Sequence, residues 1–213
     1  SAGTGATIKI GANLEMTGNS ASFGKSSLNG MKLAVKELNA KGGVLGKQLE
    51  IVVADNKSEA AEAANAVQKL VSQDKVAAIV GSNLSSSVIA AIPINTGAKT
   101  LVITPMGTNP AVTVDAKSGK THDFMFRAPI IDPFQGTVAA NFVSKTVNAK
   151  TAVVYIDNSS DYAKGLAQFF KENFEKLGGK VVGSEAYLQK DTDFKATLTK
   201  IKALNPDVIY IPG

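Results

Sequence analysis

The run Val76-Ala77-Ala78-Ile79-Val80 is followed by Gly81-Ser82-Asn83-Leu84-Ser85-Ser86-Ser87 and then by Val88-Ile89-Ala90-Ala91-Ile92. A short apolar run closed by glycine reads as a buried parallel strand, and the apolar segment after the loop reads as the start of a crossover helix. The loop therefore presents hydroxyls and backbone N–H groups at the C-terminal end of a strand, where open α/β sheets receive their ligands. The same grammar recurs at Leu101-Val102-Ile103, followed by Thr104-Pro105-Met106-Gly107-Thr108-Asn109-Pro110. Together the two loops read as one anion-binding wall, with Ser85, Ser86, Gly107 and Thr108 as candidate contacts. Helix capping by Ser85 or Ser86 accounts for one hydroxyl without any ligand. It does not account for three consecutive serines with Thr108 after the neighbouring strand.

Outward from these loops, strand-like runs alternate with helical periods. Ile8 and Ile10 open a strand, and Leu28, Met31, Val35 and Leu38 share a helical stripe that stops at Gly42-Gly43. Leu49 to Ala54 forms a second strand, followed by a helix from near Ser58. Pro93 is expected to kink or shorten the helix that Val88 begins. Phe124 to Arg127 resumes an extended run before Asp132-Pro133, an N-cap followed by proline. Ala152 to Ile156, the stripe of Tyr162, Leu166, Phe169 or Phe170, and Phe174, then Val181 to Tyr187, the stripe Phe194-Leu198-Ile201-Leu204 and Val208 to Ile211 repeat the pattern. This order predicts an α/β protein of two Rossmann-like parallel-sheet lobes. The expected division is a flexible leader over 1–6, an N-terminal lobe over 7–122 and a partial C-terminal lobe over 123–213. A parallel lobe that stops at Gly213 directly after a strand has no following helix to cover it, which reads as a fragment.

The chain has 213 residues, 44% of them hydrophobic and 19% charged, which is ordinary for a globular protein. No apolar run approaches the roughly 20 residues of a membrane span. With no cysteine there is no disulfide or thiolate chemistry. The net charge of +5 comes mostly from lysines spread over helix faces, and Arg127 is the one arginine. Nucleic-acid surfaces concentrate arginine beside stacking aromatics, so that partner class is set aside.

Three chemical readings compete with the wall. Gly18 to Ser26 ends in Gly24-Lys25-Ser26 before a helix, but five residues stand between its first glycine and the Gly-Lys pair. A phosphate loop has about four there, so the nest of N–H groups would not converge. His122 is the only histidine, which removes histidine triads and multi-histidine metal sites. Asp157 and Asp161 flank Asn158-Ser159-Ser160 and read as capping residues more readily than as metal ligands. No catalytic group, metal or cofactor is therefore expected, and the wall points to holding a small molecule without transforming it.

At these residues the sequence resembles the branched-chain amino acid binding proteins of bacterial ABC importers, with the type I periplasmic binding fold. The resemblance runs through Ile8-Lys9-Ile10-Gly11, Phe23-Gly24, Asn29-Gly30, Asn39-Ala40-Lys41-Gly42-Gly43 with Gly46, and Asp55. It continues through Gly81 with Ser85-Ser86-Ser87, Pro105 with Thr108-Asn109-Pro110, Asp132 with Gln135-Gly136, and Asp161-Tyr162 with Gly165. The resemblance implies that Ser85 and Thr108 take the α-carboxylate of an amino acid and that the Met106 carbonyl helps hold its ammonium. It further implies that Phe23 and Tyr162 line the side-chain pocket from opposite lobes, with Asn83 and Asp132 as further candidates at the cleft and hinge. From the residues alone, Phe23 is equally a loop anchor and Tyr162 the first core residue of its helix.

The resemblance also implies an extracytoplasmic location, periplasmic or at the cell surface, and an ABC permease as partner. The protein would be peripheral to the membrane, with a lipid anchor upstream of residue 1 as one arrangement. The same fold serves as the ligand-binding ectodomain of sensors, which is the alternative function, and a nucleotide-dependent enzyme is the remote one. Four departures stand out. The family's first-lobe disulfide is absent, with Asn56 or a neighbour and Leu84 at its places. Phe23 stands where some members have tryptophan or tyrosine, and Met106 replaces a smaller residue. The family's acidic ammonium partner and further aromatic wall lie beyond Gly213, so this chain is expected to hold a folded wall without high-affinity binding.

Overall fold

A computed structural model describes residues 7–213, so the expected leader over 1–6 lies outside the described residues. The chain divides into two compact units, the first ending at Pro129 and the second running from Ile130 to Gly213.

The first unit is built from β1 (Ile8–Leu14), α1 (Ala21–Ala40), β2 (Leu49–Asp55), α2 (Ala60–Ser72), β3 (Ala78–Gly81), α3 (Ser85–Ala98), β4 (Leu101–Thr104) and β5 (Met125–Arg127). Its five strands are parallel and lie in the order β2-β1-β3-β4-β5. Helices α2 and α3 bury Val67, Leu70, Val88 and Ile92 against Ile79 and Val102, while Leu28 of α1 packs with Ala12 and Leu14. The strand order reverses between β1 and β3, which opens the crevice at their C-terminal ends.

Two expectations are corrected here. The first unit does not end at 122: β5 pairs in register with β4, Ile103 opposite Phe126, so residues 125–127 belong to its sheet. Of the two outcomes expected at Pro93, the early end does not occur: helix α3 runs through it to Ala98. The proline removes one backbone hydrogen bond, and the burial of Val88, Ala91, Ile92 and Asn95 around it outweighs that loss.

The second unit contains α4 (Asp132–Asn141), β6 (Thr151–Asp157), α5 (Asp161–Lys176), β7 (Lys180–Tyr187), α6 (Lys195–Ala203) and β8 (Val208–Tyr210). Its strands are parallel in the order β7-β6-β8. Phe170 and Phe174 are fully buried on one face of β6, where Phe170 stacks on Tyr210 with ring centroids 3.9 Å apart. Ile201 packs with Val153 and Tyr155 on the other face. Asp132 is the first residue of α4 and not its cap, a shift of one position from the expectation.

Candidate functional site

The serine loop leaves β3 at Gly81, whose φ of +117° and close approach to β1 both exclude a side chain. A Cβ there would lie 2.0 Å from the Asn13 carbonyl oxygen. Helix α3 begins at Ser85 after Leu84, and no side chain caps it. The capping explanation for the serines therefore fails. The Ser85 Oγ instead accepts a hydrogen bond from the Asn109 amide at 3.2 Å, which ties the serine loop to the Thr-Asn-Pro loop. Thr104 adds a second tie, its hydroxyl donating to the Ser82 carbonyl while accepting from the Gly107 amide at 2.9 Å. The two loops singled out by sequence thus form one surface within the first unit. The first-turn amides of Ser85 to Ser87 lack acceptors inside the helix, and the helix dipole leaves that terminus partly positive.

The Thr-Asn-Pro loop is held from behind by Arg127. Its guanidinium donates to the carbonyls of Gly107 (3.1 Å), Asn109 (2.8 Å) and Pro110 (3.2 Å) and to the Thr113 hydroxyl. The Asn109 side chain also accepts from the Ala111 amide at 2.8 Å, capping the short 3-10 turn over Pro110–Val112. Gly107 consequently uses its amide on Thr104 and its carbonyl on Arg127, so it shapes the loop. Thr108 is half-buried, and Met106 is 40% exposed.

The loop between β1 and α1 is organised by Asp55. Its Oδ1 accepts from the amides of Met16 (3.0 Å), Thr17 (3.1 Å) and Lys57 (2.8 Å), and its Oδ2 accepts from the Thr17 hydroxyl at 2.7 Å. Partial burial pushes this carboxyl up, but the hydrogen bonds from Thr17, Lys57 and Met16 together outweigh it and hold it below the ordinary value of 3.8. The acidic strand end is thus a turn organiser. Phe23, in the first turn of α1, is 46% exposed.

Sequence reasoning missed Glu15, the residue directly after β1, which is 0% exposed. It accepts hydrogen bonds from the Asn56 side chain and from the main chain and side chain of Asn83. Asn83, an expected ligand contact, therefore spends its amide nitrogens on Glu15, and its Oδ1 accepts from the Ser27 hydroxyl at 2.9 Å. A legible signal existed in Asn13, Asn56 and Asn83, one carboxamide at the end of each of three adjacent strands. Buried carboxamides need hydrogen-bond partners, and two of the three, Asn56 and Asn83, find one in Glu15.

In the second unit, Asp132 and Tyr162 are brought together through Gln135. The Gln135 side chain donates to Asp132 Oδ1 at 3.2 Å and accepts from the Tyr162 hydroxyl at 3.4 Å. Burial and then the Asp132 charge raise the Tyr162 phenol above its usual range. Tyr210 joins them: burial, Tyr162 and Asp132 push its phenol up to about 12. Asp157 accepts from the Ser159 amide and hydroxyl, and Asp161 pairs with Lys164 at 2.8 Å. Among the described residues no group of three or more acidic, histidine or cysteine side chains is placed to hold a metal ion.

Residues 7–212 match the family model described as periplasmic binding protein. An amino acid binding protein of Pseudomonas aeruginosa is 37% identical over 208 residues, covering 98% of this chain and 54% of that protein. The structure of LivK, a leucine binding protein from Thermotoga maritima, superposes with a TM-score of 0.87 at 40% identity, over 96% of this chain and 56% of its own. LivJ, a branched-chain amino acid transporter substrate binding protein from Streptococcus pneumoniae solved with isoleucine, gives 0.85 at 44% identity over 98% and 57%. The chain thus spans about half the length of the relatives it matches.

Proposed function

The chain belongs to the periplasmic binding protein family, and from that premise we propose that it is part of an extracytoplasmic solute-binding protein that hands an amino acid to an ABC permease. The observation that carries this reading is the bond joining Ser85 Oγ to the Asn109 amide. It sets a hydroxyl-rich helix terminus beside the Thr-Asn-Pro loop, a combination that suits a carboxylate. In this reading Ser85, Ser86 and Thr108 meet the carboxylate, and the Met106 carbonyl faces the ammonium. The exposed Phe23 ring contributes apolar surface for a side chain.

Branched-chain ligands are favoured because relatives at 40% and 44% identity are named for leucine and branched-chain amino acids. Binding without chemical change fits the site, since hydroxyls and amides hold a carboxylate but supply no activated nucleophile. No described helix is long and apolar enough to cross a membrane. A peripheral protein outside the cytoplasm, with a lipid anchor as one means of attachment, accords with the family.

Amide NMR of the chain, titrated with leucine, isoleucine and valine and with leucinamide as the carboxylate-free control, tests the proposal. Shifts should concentrate at Ser85–Ser87 and Met106–Thr108 with the acids and be absent with the amide. Ser85→Ala should weaken binding about ten- to a hundredfold, the cost of one charge-assisted hydrogen bond. A folded chain whose loop amides ignore every amino acid would sink the reading.

A further inference from the structure

We propose that Glu15 is the positioning residue of the carboxylate-binding loop. It acts as an internal anion that fixes the turn before α3 and so directs an incoming carboxylate to Ser85 and Thr108. The consequence for ligand rests on the amino-acid reading above, whereas the hold on the loop does not.

Glu15 is completely buried, a state that a carboxyl group tolerates only when its oxygens are satisfied. The donors that reach it are amides from two distant turns. Oε1 accepts from Asn56 Nδ2 at 3.1 Å, from the Asn83 main-chain amide at 3.1 Å and, at 3.5 Å, from the Leu84 amide. Oε2 accepts from Asn83 Nδ2 at 2.7 Å and shares the Asn83 main-chain amide at 3.3 Å. Asn56 also donates to Asn13 Oδ1 (3.2 Å) and Ser82 Oγ (3.0 Å), so the turns after β1, β2 and β3 meet at one point.

The backbone of Glu15 is clasped as firmly as its side chain. A Cβ on Gly24, in the first turn of α1, would stand 2.1 Å from the Glu15 carbonyl oxygen. Ser27, one turn further along α1, donates to Asn83. Glu15 therefore has little room to withdraw, and the Asn83 amide is kept turned inward toward it.

This arrangement bears on where a ligand can sit. The amides that precede a helix and those of its first turn are the ones an anion seeks. The protein's own carboxylate already occupies Asn83 and Leu84, so the position remaining for an external carboxylate lies beyond them, at Ser85 to Ser87 and the adjoining Thr108. A carboxylate accepts at both oxygens, whereas a glutamine keeps one acceptor and turns an NH2 toward donors. The latch should therefore weaken stepwise from Glu15 to Gln to Ala.

The experiment is amide hydrogen exchange by NMR on the ligand-free chain, wild type against Glu15→Gln and Glu15→Ala, followed by an isoleucine titration of each. Exchange at Asn83 should rise about ten- to a hundredfold in Glu15→Ala and less in Glu15→Gln. The Ala111 and Ala163 amides, bonded to Asn109 and Ser160, should not change. Isoleucine affinity of the folded molecules should fall about tenfold or more in Glu15→Ala and be partly retained in Glu15→Gln. A residue that only supported the fold would raise exchange across β1 and β3 together and leave the affinity of folded molecules unaltered, and that result overturns the proposal. Unchanged exchange at Asn83 in both variants overturns it as well. If Glu15→Ala does not fold, Glu15→Gln carries the comparison. A wild-type chain that shows no isoleucine response counts against the amino-acid reading, while the exchange data still decide the latch.

Discussion

The loops of the first unit and the tyrosine cluster of the second both gather polar groups at the C-terminal ends of parallel strands, but from opposite materials. In the first unit, main-chain amides and carbonyls are held by ionic side chains from behind: Glu15 under the serine loop, Asp55 under the β1–α1 loop and Arg127 under the Thr-Asn-Pro loop. In the second, Asp132, Gln135, Tyr162 and Tyr210 bond or influence one another directly, and burial of aromatic surface holds them in place. A surface made of main-chain groups has no rotamers of its own to lose, so it is preorganised once its loops are fixed. The cost is dependence on a few charged residues that lie behind the surface. The tyrosine cluster depends instead on packing and on the neutrality of its phenols.

Breaking the ionic support should have the largest effect. Arg127→Ala removes four donors at once from the Gly107, Asn109 and Pro110 carbonyls and the Thr113 hydroxyl. Because these groups are partly buried and would be left without that partner, a loss of about 2–4 kcal/mol in unfolding free energy is expected, read as a lower urea midpoint. Equal midpoints for the variant and the wild type would mean that the loop holds itself, and the contrast between the units would collapse.

The second unit should respond to base. The Tyr210 phenol is pushed up to about 12, so its neutral form is favoured by folding. Its contribution is complete below the ordinary value of 10.0 and is lost as pH rises from there toward about 12. Urea midpoints measured at about pH 9 and about pH 11.5 should therefore fall further for wild type than for Tyr210→Phe, which keeps the stacking on Phe170 but cannot ionise. Parallel falls for the two proteins would show that Tyr210 is not part of the alkaline limb.

The same contrast explains what could be read from the chain. The strand-loop-helix order was legible because apolar runs and the polar loops after them are local signals, and with it the positions of Ser85 at the start of α3 and of Thr108 in the loop after β4. Glu15 was not legible from its own neighbourhood, where a glutamate after a strand and before Met16-Thr17-Gly18 reads as an ordinary solvent-facing residue, and its one signal lay in the distant strand-end carboxamides. Its burial depends on Asn56 and Asn83, 41 and 68 positions away, arriving at the same point. Arg127 was noticed only as the lone arginine, since its role follows from β5 joining the first sheet, a pairing that three residues of sequence do not announce. The early helix end expected as one outcome at Pro93 failed for the opposite reason: a strong local signal was overridden by the burial of the helix around it.

Acid should produce the smallest effect and in the first unit, opposite to the alkaline response of the second. Asp55 is held below 3.8, so its carboxylate stabilises the folded state above that value and the contribution disappears as pH falls through the lowered one. Water reaches this carboxylate, which screens it, and the expected contribution is under about 1 kcal/mol. Asp55→Asn keeps one oxygen for the Met16 and Thr17 amides but has no proton to gain, so its stability should change less than that of wild type between about pH 5 and about pH 3. A variant that loses stability with acid as steeply as the wild type would assign the acid limb to other carboxyls. The β1–α1 loop would then be held by the geometry of its turn, and only Glu15 and Arg127 would remain as ionic supports of the first unit's surface.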